Sequence, residues 1–499
     1  MTRSLAEIYR GLVLLALTLV LAASFPASAF QDSAHAAFSE RFERIKQDAS
    51  PEELYRLLYA MPKGGDIHNH LGGSSRSEWW YDLAVDPDRN GGYRYYTKTM
   101  IHNCPSGTGR PADPARVGEV RPRPYLLYFQ TIQASTYATL DECKQREYEP
   151  LDALDDDNRA AWLSSLRLEL PHEGRDEFFE RIWNRIGELF RNPHINAELL
   201  VENMKRYGAE GLRYLETQTG AAGFVDPRGE PIAVDDVVNI YRARLEQADA
   251  LATGVVVRFH QTVLRFTPDA EQRVRDAYAF VDRYRDLWVA VNMAGREDDD
   301  KGHPERFRQV FAEMRRQYPD IRLSIHAGET DRPSRHVRET LLLGADRIGH
   351  GIDVIHDHDT LLLLRHGPFL LENNLISNHL LEYTPDLDLH PFPQFLRLGI
   401  PVALNTDDRG MWDSNMSDEY YVAVTRFNLS WSELVQVGRN SLEHAFVEAP
   451  IKQRLLAEYD ADIRAFEQRF GVGDWRAGLW DVKAETYGYA ERHFGIIFE

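Results

Sequence analysis

The sequence predicts a (β/α)8 barrel with an insertion after the first strand and extra helices at both ends. Three observations predict it. Eight short apolar runs recur between residues 65 and 406, most of them continuous rather than alternating, as strands covered on both faces require. Segments with helical spacing of apolar residues fill the gaps between them. The chain has 499 residues, 43% of them hydrophobic and 27% charged, enough for one large barrel core.

Arg3 and Arg10 precede or flank an apolar run, Gly11–Ala23, and small residues follow at Ala27–Ala29. This is the pattern of a secretory signal peptide cleaved after Ala29, and the run is too short to span a bilayer comfortably. The mature chain, 30–499, is therefore expected to be a single barrel domain, periplasmic or secreted and free of the membrane. Residues 39–49 and 51–60 read as short helices leading into the first strand.

Candidate strands follow at 65–71, 211–218, 254–261, 287–294, 321–327, 346–350, 368–373 and 401–406. Residues 175–190 read as a helix with Phe178, Phe179, Ile182, Trp183, Ile186 and Leu189 on one face. Further helices are expected at 234–253, 268–285, 303–318 and 334–344, the last stopped by Gly344. Shorter ones fit 357–365 and 391–398, and two more, at 417–427 and 431–447, form the tail.

The interval at about 81–172 breaks the rhythm. Residues 103–124 within it are rich in Pro, Gly and Arg, and both cysteines of the chain, Cys104 and Cys143, fall inside it. We read it as an insertion, with the two thiols paired if the compartment is oxidising. The formal net charge of −20 argues against nucleic acid and anionic membrane surfaces as partners.

In such a barrel the chemistry sits at the C-terminal ends of the strands. The first strand ends in His68 and His70, which alternation places on one side. The fifth ends in "HAGE", giving His326 and Glu329, the sixth in "RIGHG", giving His350, and the eighth in "NTDD", giving Asp407 and Asp408. Three imidazoles and a carboxylate suit a zinc ion with one position left for water. A second His-x-His, His356 and His358, falls at a helix start with Asp357 as its cap and reads as solvated.

"MPKGGDIHNHLGGS", "HAGET", "RIGHG", Ser377–Asn378, "NTDD" and "GRNSLEHAF" occur in that order between Met61 and Phe446. As an ordered set they resemble the adenosine/AMP deaminase family of zinc amidohydrolases. The "MPKGG" lead-in, the leader and the cysteine-bearing insertion are most similar to the secreted branch, the adenosine deaminase-related growth factors. In that branch the insertion is associated with receptor binding and dimer contacts, so the resemblance leaves room for a homodimer.

The resemblance implies one Zn2+ per chain, held by His68, His70, His326 and Asp407. It implies Glu329 as the acid at purine N1, and His350 as the group that orients and helps deprotonate the attacking water. Asp408 would accept a hydrogen bond from a protonated or polarised purine N7 region, and the Gly295 backbone would meet the ring edge. The implied reaction is hydrolytic deamination of adenosine and 2′-deoxyadenosine. For that role Glu329 has to be held protonated by burial. The sequence has no Pro-Cys-x-x-Cys element of the cytidine-deaminase kind. No lysine ends the 287–294 run, which favours one metal over two.

Two departures bear on the substrate. Better-known adenosine deaminases carry, two positions after the second histidine, an acidic residue that holds the sugar 5′-hydroxyl; here that position is Gly72. His260 and the aromatic segment with Phe178, Phe179 and Trp183 are the candidates to line the sugar side. Arg409 stands where many relatives have proline, and Arg76, Arg296, Arg332 and Arg335 lie in loops after strands. Scattered surface charge is the favoured reading of these arginines; convergence would make a phosphate site, and AMP a substrate. Adenine, N6-substituted adenine, and a growth-factor-like binding protein on a deaminase scaffold are the remaining alternatives.

Overall fold

The structure is a computed structural model that describes residues 27–102, 104, 127–298 and 301–498. The expected leader lies outside the described residues up to position 26, and so does nearly all of the Pro/Gly/Arg-rich stretch at 103–124. Eleven strands occur among the described residues: β1 (Gly64–Asp66), β2 (Tyr95–Lys98), β3 (Thr131–Gln133), β4 (Tyr148–Pro150), β5 (Leu212–Gln218), β6 (Val256–Leu264), β7 (Trp288–Ala294), β8 (Arg322–Ala327), β9 (Arg347–His350), β10 (Leu370–Asn373) and β11 (Val402–Leu404).

Eight of them form one parallel sheet in the order β1-β5-β6-β7-β8-β9-β10-β11. All eight strands read from the sequence are present. A parallel pair needs a crossover, and the helices Val234–Leu245, Ala270–Arg283, Arg308–Gln317, His336–Leu342, His358–His366 and Phe392–Arg397 supply those after β5. Beyond their regular ends β1 and β11 meet in one parallel bridge, Asn69 with Asp407, which nearly closes the barrel. Asp357 caps its helix as expected, accepting from the Thr360 N–H at 3.2 Å.

Two boundaries differ from the sequence reading in ways that matter for the site. β1 stops at Asp66, and His68–His70 continue only as isolated bridges to Asp407 and Gln218 before a helical turn at Leu71–Ser74. Gly64 opens β1 at φ +75°, where a Cβ would collide with the Gly438 carbonyl and no side chain fits. β6 in turn runs on to Leu264, so His260 lies in mid-strand rather than at a strand end.

The helix expected at 175–190 is broken. Arg175–Glu177 passes into a wide π-type turn at Phe178–Ile182, one α-helical turn at Trp183–Ile186 and a 3-10 turn at Gly187–Arg191. Gly187, at φ +56° where a Cβ would meet the Thr131 carbonyl of β3, ends the α-helical turn and opens the 3-10 turn. Phe178, Ile182, Ile186 and Leu189 are buried, while Phe179 and Trp183 pack half-buried against the core.

The insertion contains the antiparallel sheet β3-β2-β4. Glu188 ties this sheet to the broken helix, accepting from the Gln133 N–H at 2.7 Å and the Thr136 hydroxyl at 2.8 Å. Cys104 and Cys143 form a disulfide with a Cα–Cα separation of 5.8 Å. No helix among the described residues is long and apolar enough to cross a membrane.

The disulfide closes a segment with a sequence separation of 39. Replacing Cys143 by Ser is expected to cost about 2–4 kcal/mol of unfolding free energy, as loss of a long closed loop does. Urea denaturation followed by circular dichroism measures it, with the α/β spectrum retained in the absence of urea.

Candidate metal and catalytic site

The seam between β1 and β11 carries the site. The Asp407 N–H donates to the His68 carbonyl at 3.1 Å, and the His70 N–H donates to the Asp407 carbonyl at 3.2 Å. Asp407 takes φ +54°, an uncommon value for a non-glycine residue, so its side chain turns to the barrel centre. Its Oδ2 accepts from the Ser377 hydroxyl at 2.7 Å. Its Oδ1 is buried without a hydrogen bond, 3.1 Å from His70 Nε2 and 3.4 Å from His68 Nε2.

Each imidazole is turned by the group behind it. His68 Nδ1 lies 2.7 Å from the Glu372 carboxylate, which only accepts, so Nδ1 donates and Nε2 presents a lone pair. That Nε2 is buried and has no hydrogen-bond partner. His326 Nδ1 donates to the Met293 carbonyl at 3.1 Å, so its Nε2 is also a lone pair, and it faces His70 Nε2 at 3.2 Å. Donor atoms of His68, His326, His350 and Asp407 lie within 4.8 Å of one another, and His70, Asp407 and Asp408 form an overlapping group.

Buried lone pairs aimed at one point are costly unless a cation or proton joins them. The electrostatics express the same demand. Burial disfavours an imidazolium at His68, yet hydrogen bonds and charge from Asp407 and Glu372 outweigh it and push its pKa up to about 10. Burial and the neighbouring imidazoles hold His326 well below its ordinary value. Nitrogen and carboxylate donors in this arrangement fit a divalent transition metal.

The groups around that point are held neutral. Glu329 follows β8 on a turn at Gly328, and Glu297 pins the turn by accepting from the Gly328 and Glu329 N–H groups at 3.0 and 3.3 Å. Burial, then the charges of Asp407 and Glu297, push Glu329 well above the carboxylate range. Burial and Asp407 do the same to Asp408, whose Oδ1 has no partner and lies against Gly73. His350 ends β9 at φ +60°, with Nε2 3.6 Å from Glu329 Oε1, and burial holds it down to about 3. Gly295 follows β7 at φ +109°, flanked by Phe266. The structure thus brings His68, His70, His326, His350, Glu329, Asp407 and Asp408 to one centre.

His260 is not part of it. Its Nε2 lies 2.7 Å from Glu216 Oε2 in the barrel interior, and it is 1% exposed. Glu216, Arg347 and Glu372 form a chain there: Arg347 donates to Glu216 at 2.6 Å and to Glu372 at 2.5 Å. Arg347 keeps the Glu372 carboxyl down near about 2 against the cost of burial, so Glu372 stays an acceptor for His68. The sequence reading missed Glu216, Glu297, Arg347 and Glu372. A signal existed for Glu372, an ionisable residue directly after the apolar run 368–371 of a strand covered on both faces.

The arginines are already engaged. Arg409 is buried, donates to Glu210 at 3.0 Å and lies 3.5 Å over the Tyr207 ring, beneath the seam. Arg76 pairs with Glu78 and Asp413, and Arg296 with Asp176 and Asp298. These three share no partner, and Arg332 and Arg335 are exposed on the loop after β8. At Gly72 a Cβ would overlap the Phe190 ring, which stacks on Trp183 at 5.5 Å and meets Trp80 edge-on at 5.2 Å. Phe190, Trp183 and Trp80 thus fill the space beside Gly72.

Comparison with known proteins bears on the family and the fold. Residues 168–462, more than half of the chain, match the family model described as "Adenosine deaminase". An adenosine deaminase of Plasmodium falciparum is 31% identical over 193 residues, covering 38% of this chain and 51% of that protein. An adenine deaminase of Chelativorans sp. is 29% identical over 282 residues, covering 55% of this chain and 82% of that protein. The chain spans about half the length of the first curated relatives it matches. Among solved structures, an amidohydrolase of Burkholderia ambifaria with bound zinc superposes with a TM-score of 0.57 at 17% identity, covering 84% of this chain and 94% of that one.

Glu372→Gln is expected to weaken metal binding by about 10–100-fold, the usual cost of losing a carboxylate behind a ligating histidine. Competition with a chromophoric chelator measures it; unchanged affinity contradicts the role given to Glu372.

Proposed function

Because this chain belongs to the adenosine deaminase family, we propose that it hydrolytically deaminates adenosine and 2′-deoxyadenosine, giving inosine products and ammonia. One observation carries the reading: unpartnered donors of His68 and Asp407 meet the lone pair of His326 and the ring of His70 beside a buried, neutral Glu329. We assign one zinc ion to His68, His70, His326 and Asp407, a donor set that suits it. The ion supplies a hydroxide-like nucleophile at neutral pH by acidifying water.

The chain's own residues do the rest. Glu329 gives its proton to ring N1 as the oxygen adds to the carbon bearing the amino group, so charge does not build up on the ring. Cleavage of that carbon–nitrogen bond then releases ammonia; of the two protons the adding water brings, one goes to the leaving amino group and the other restores the Glu329 carboxyl. Asp408, kept neutral by burial and by Asp407, donates a hydrogen bond to N7, an acceptor, rather than accepting from a protonated N7 as the resemblance implied. The Gly295 backbone meets the ring edge.

Engagement of Arg76, Arg296 and Arg409 by their own carboxylates supports an uncharged substrate over AMP. The aromatic closure at Gly72 favours one second reading, adenine itself, because a 5′-hydroxyl finds no carboxylate there. Residues 1–29 and the Cys104–Cys143 disulfide support export of the enzyme to an oxidising compartment.

Ultraviolet assay of the zinc-loaded protein against adenosine, deoxyadenosine, AMP, adenine and N6-methyladenine tests the proposal. Turnover of the two nucleosides is expected, turnover of adenine alone establishes the second reading, and turnover of none leaves a binding protein. In the active enzyme Glu329→Gln is expected to keep its metal and lose about 10²–10⁴-fold in kcat; near-normal turnover contradicts its assignment.

A further inference from the structure

We infer that His390, acting through Asn378, fixes His350 in the tautomer with its proton on Nε2. This keeps His350 off the metal and makes it a hydrogen-bond donor at the reacting centre.

The backbone N–H of Phe392 can only donate, and it reaches His390 Nδ1 at 3.1 Å. His390 Nδ1 is therefore the acceptor, and the neutral ring carries its proton on Nε2. His390 is 1% exposed, and burial holds it down to about 3, so the neutral form is the one present. Its Nε2–H donates to Asn378 Oδ1 at 3.1 Å. That contact orients the amide, and the other end, Asn378 Nδ2, donates to His350 Nδ1 at 3.0 Å.

Asn374 Nδ2 stands at 3.1 Å from the same nitrogen. With amide N–H groups on that side, His350 Nδ1 carries no proton, and the neutral ring holds its hydrogen on Nε2. Asn373 fixes the backbone as well, donating to the His350 carbonyl at 2.8 Å. The Nε2–H then points to the side of the ring where Glu329 Oε1 lies 3.6 Å away.

The contrast with the neighbouring histidines is chemical. His68 and His326 have acceptors behind Nδ1, a carboxylate and a carbonyl, and so offer lone pairs from Nε2. His350 has amide donors behind Nδ1 and offers a proton. Proximity alone groups His350 with the ligands; the polarity behind the ring separates them. A ring protonated at Nε2 cannot take a proton there from water, so His350 serves by donating to the oxygen that adds to the purine. His390 is a positioning residue for that contact. The catalytic part rests on the proposed deamination; the tautomer does not.

The test uses zinc-loaded protein labelled with 15N-histidine, His350 being assigned by the signals lost in His350→Gln. Long-range 15N–1H correlation is expected to show a pyridine-type Nδ1 and a pyrrole-type Nε2 for His350. His390→Leu, which frees the Asn378 amide to turn, is expected to give mixed tautomers. It should also lower kcat by about 10–100-fold at unchanged KM and metal content. His390→Gln, which can still donate to Asn378 Oδ1, should restore both. A pyrrole-type Nδ1 in the wild type overturns the proposal, as does a His390→Leu protein with the wild-type tautomer. The expected tautomer in a protein that turns over no purine supports this inference and contradicts the deaminase reading instead.

Discussion

The parallel bridge between Asn69 and Asp407 is the contact on which the rest of the molecule depends. It brings the first and last barrel strands together, and its flanking hydrogen bonds involve the backbones of His68, His70 and Asp407. Closure of the fold and convergence of the donor atoms are therefore one event. Beneath the seam Tyr207 and the Thr406 hydroxyl both donate to Asp66 Oδ2, at 2.8 and 2.6 Å. Arg409 covers the Tyr207 ring from below. These contacts hold the seam where β1 and β11 are too short to hold it by ladder bonds alone.

Burial then decides the chemistry. A barrel interior lined by apolar strands raises the cost of every charge, and the protein answers differently at two depths. Below the site, charges are kept and paired: Glu216, Arg347 and Glu372 alternate in sign within hydrogen-bond distance. At the site, charges are suppressed: Glu329 and Asp408 are pushed toward their neutral forms around a centre that draws positive charge to itself. A neutral acid beside a cation is the arrangement that can protonate a heteroaromatic ring while a nucleophile adds to it.

Much of this was legible in the sequence, because barrel architecture places chemistry at strand ends. Eight apolar runs marked the strands, and His68, His70, His326, His350 and Asp407 could be read from the residues that close them. What was not legible depends on contacts between distant segments. His260 resembled a site residue only while its strand ended at 261; three more residues of β6 put it in the interior against Glu216. The helix at 175–190 has continuous apolar periodicity, but its last α turn ends at Gly187, packed against the Thr131 carbonyl 56 residues earlier. Phe190 filling the space at Gly72, and the polarity passed from Phe392 to His350, likewise arise from side chains that only the fold brings together.

The central claim is that the seam assembles one metal site from His68, His70, His326 and Asp407. Anomalous X-ray scattering on either side of the zinc absorption edge, from crystals of the zinc-loaded protein, tests it most directly. The account predicts one peak per chain, about 2.0–2.2 Å from the three imidazole nitrogens and a carboxylate oxygen of Asp407, with His350 outside bonding distance. A second metal, a peak bonded to His350, or no peak at the seam would contradict it.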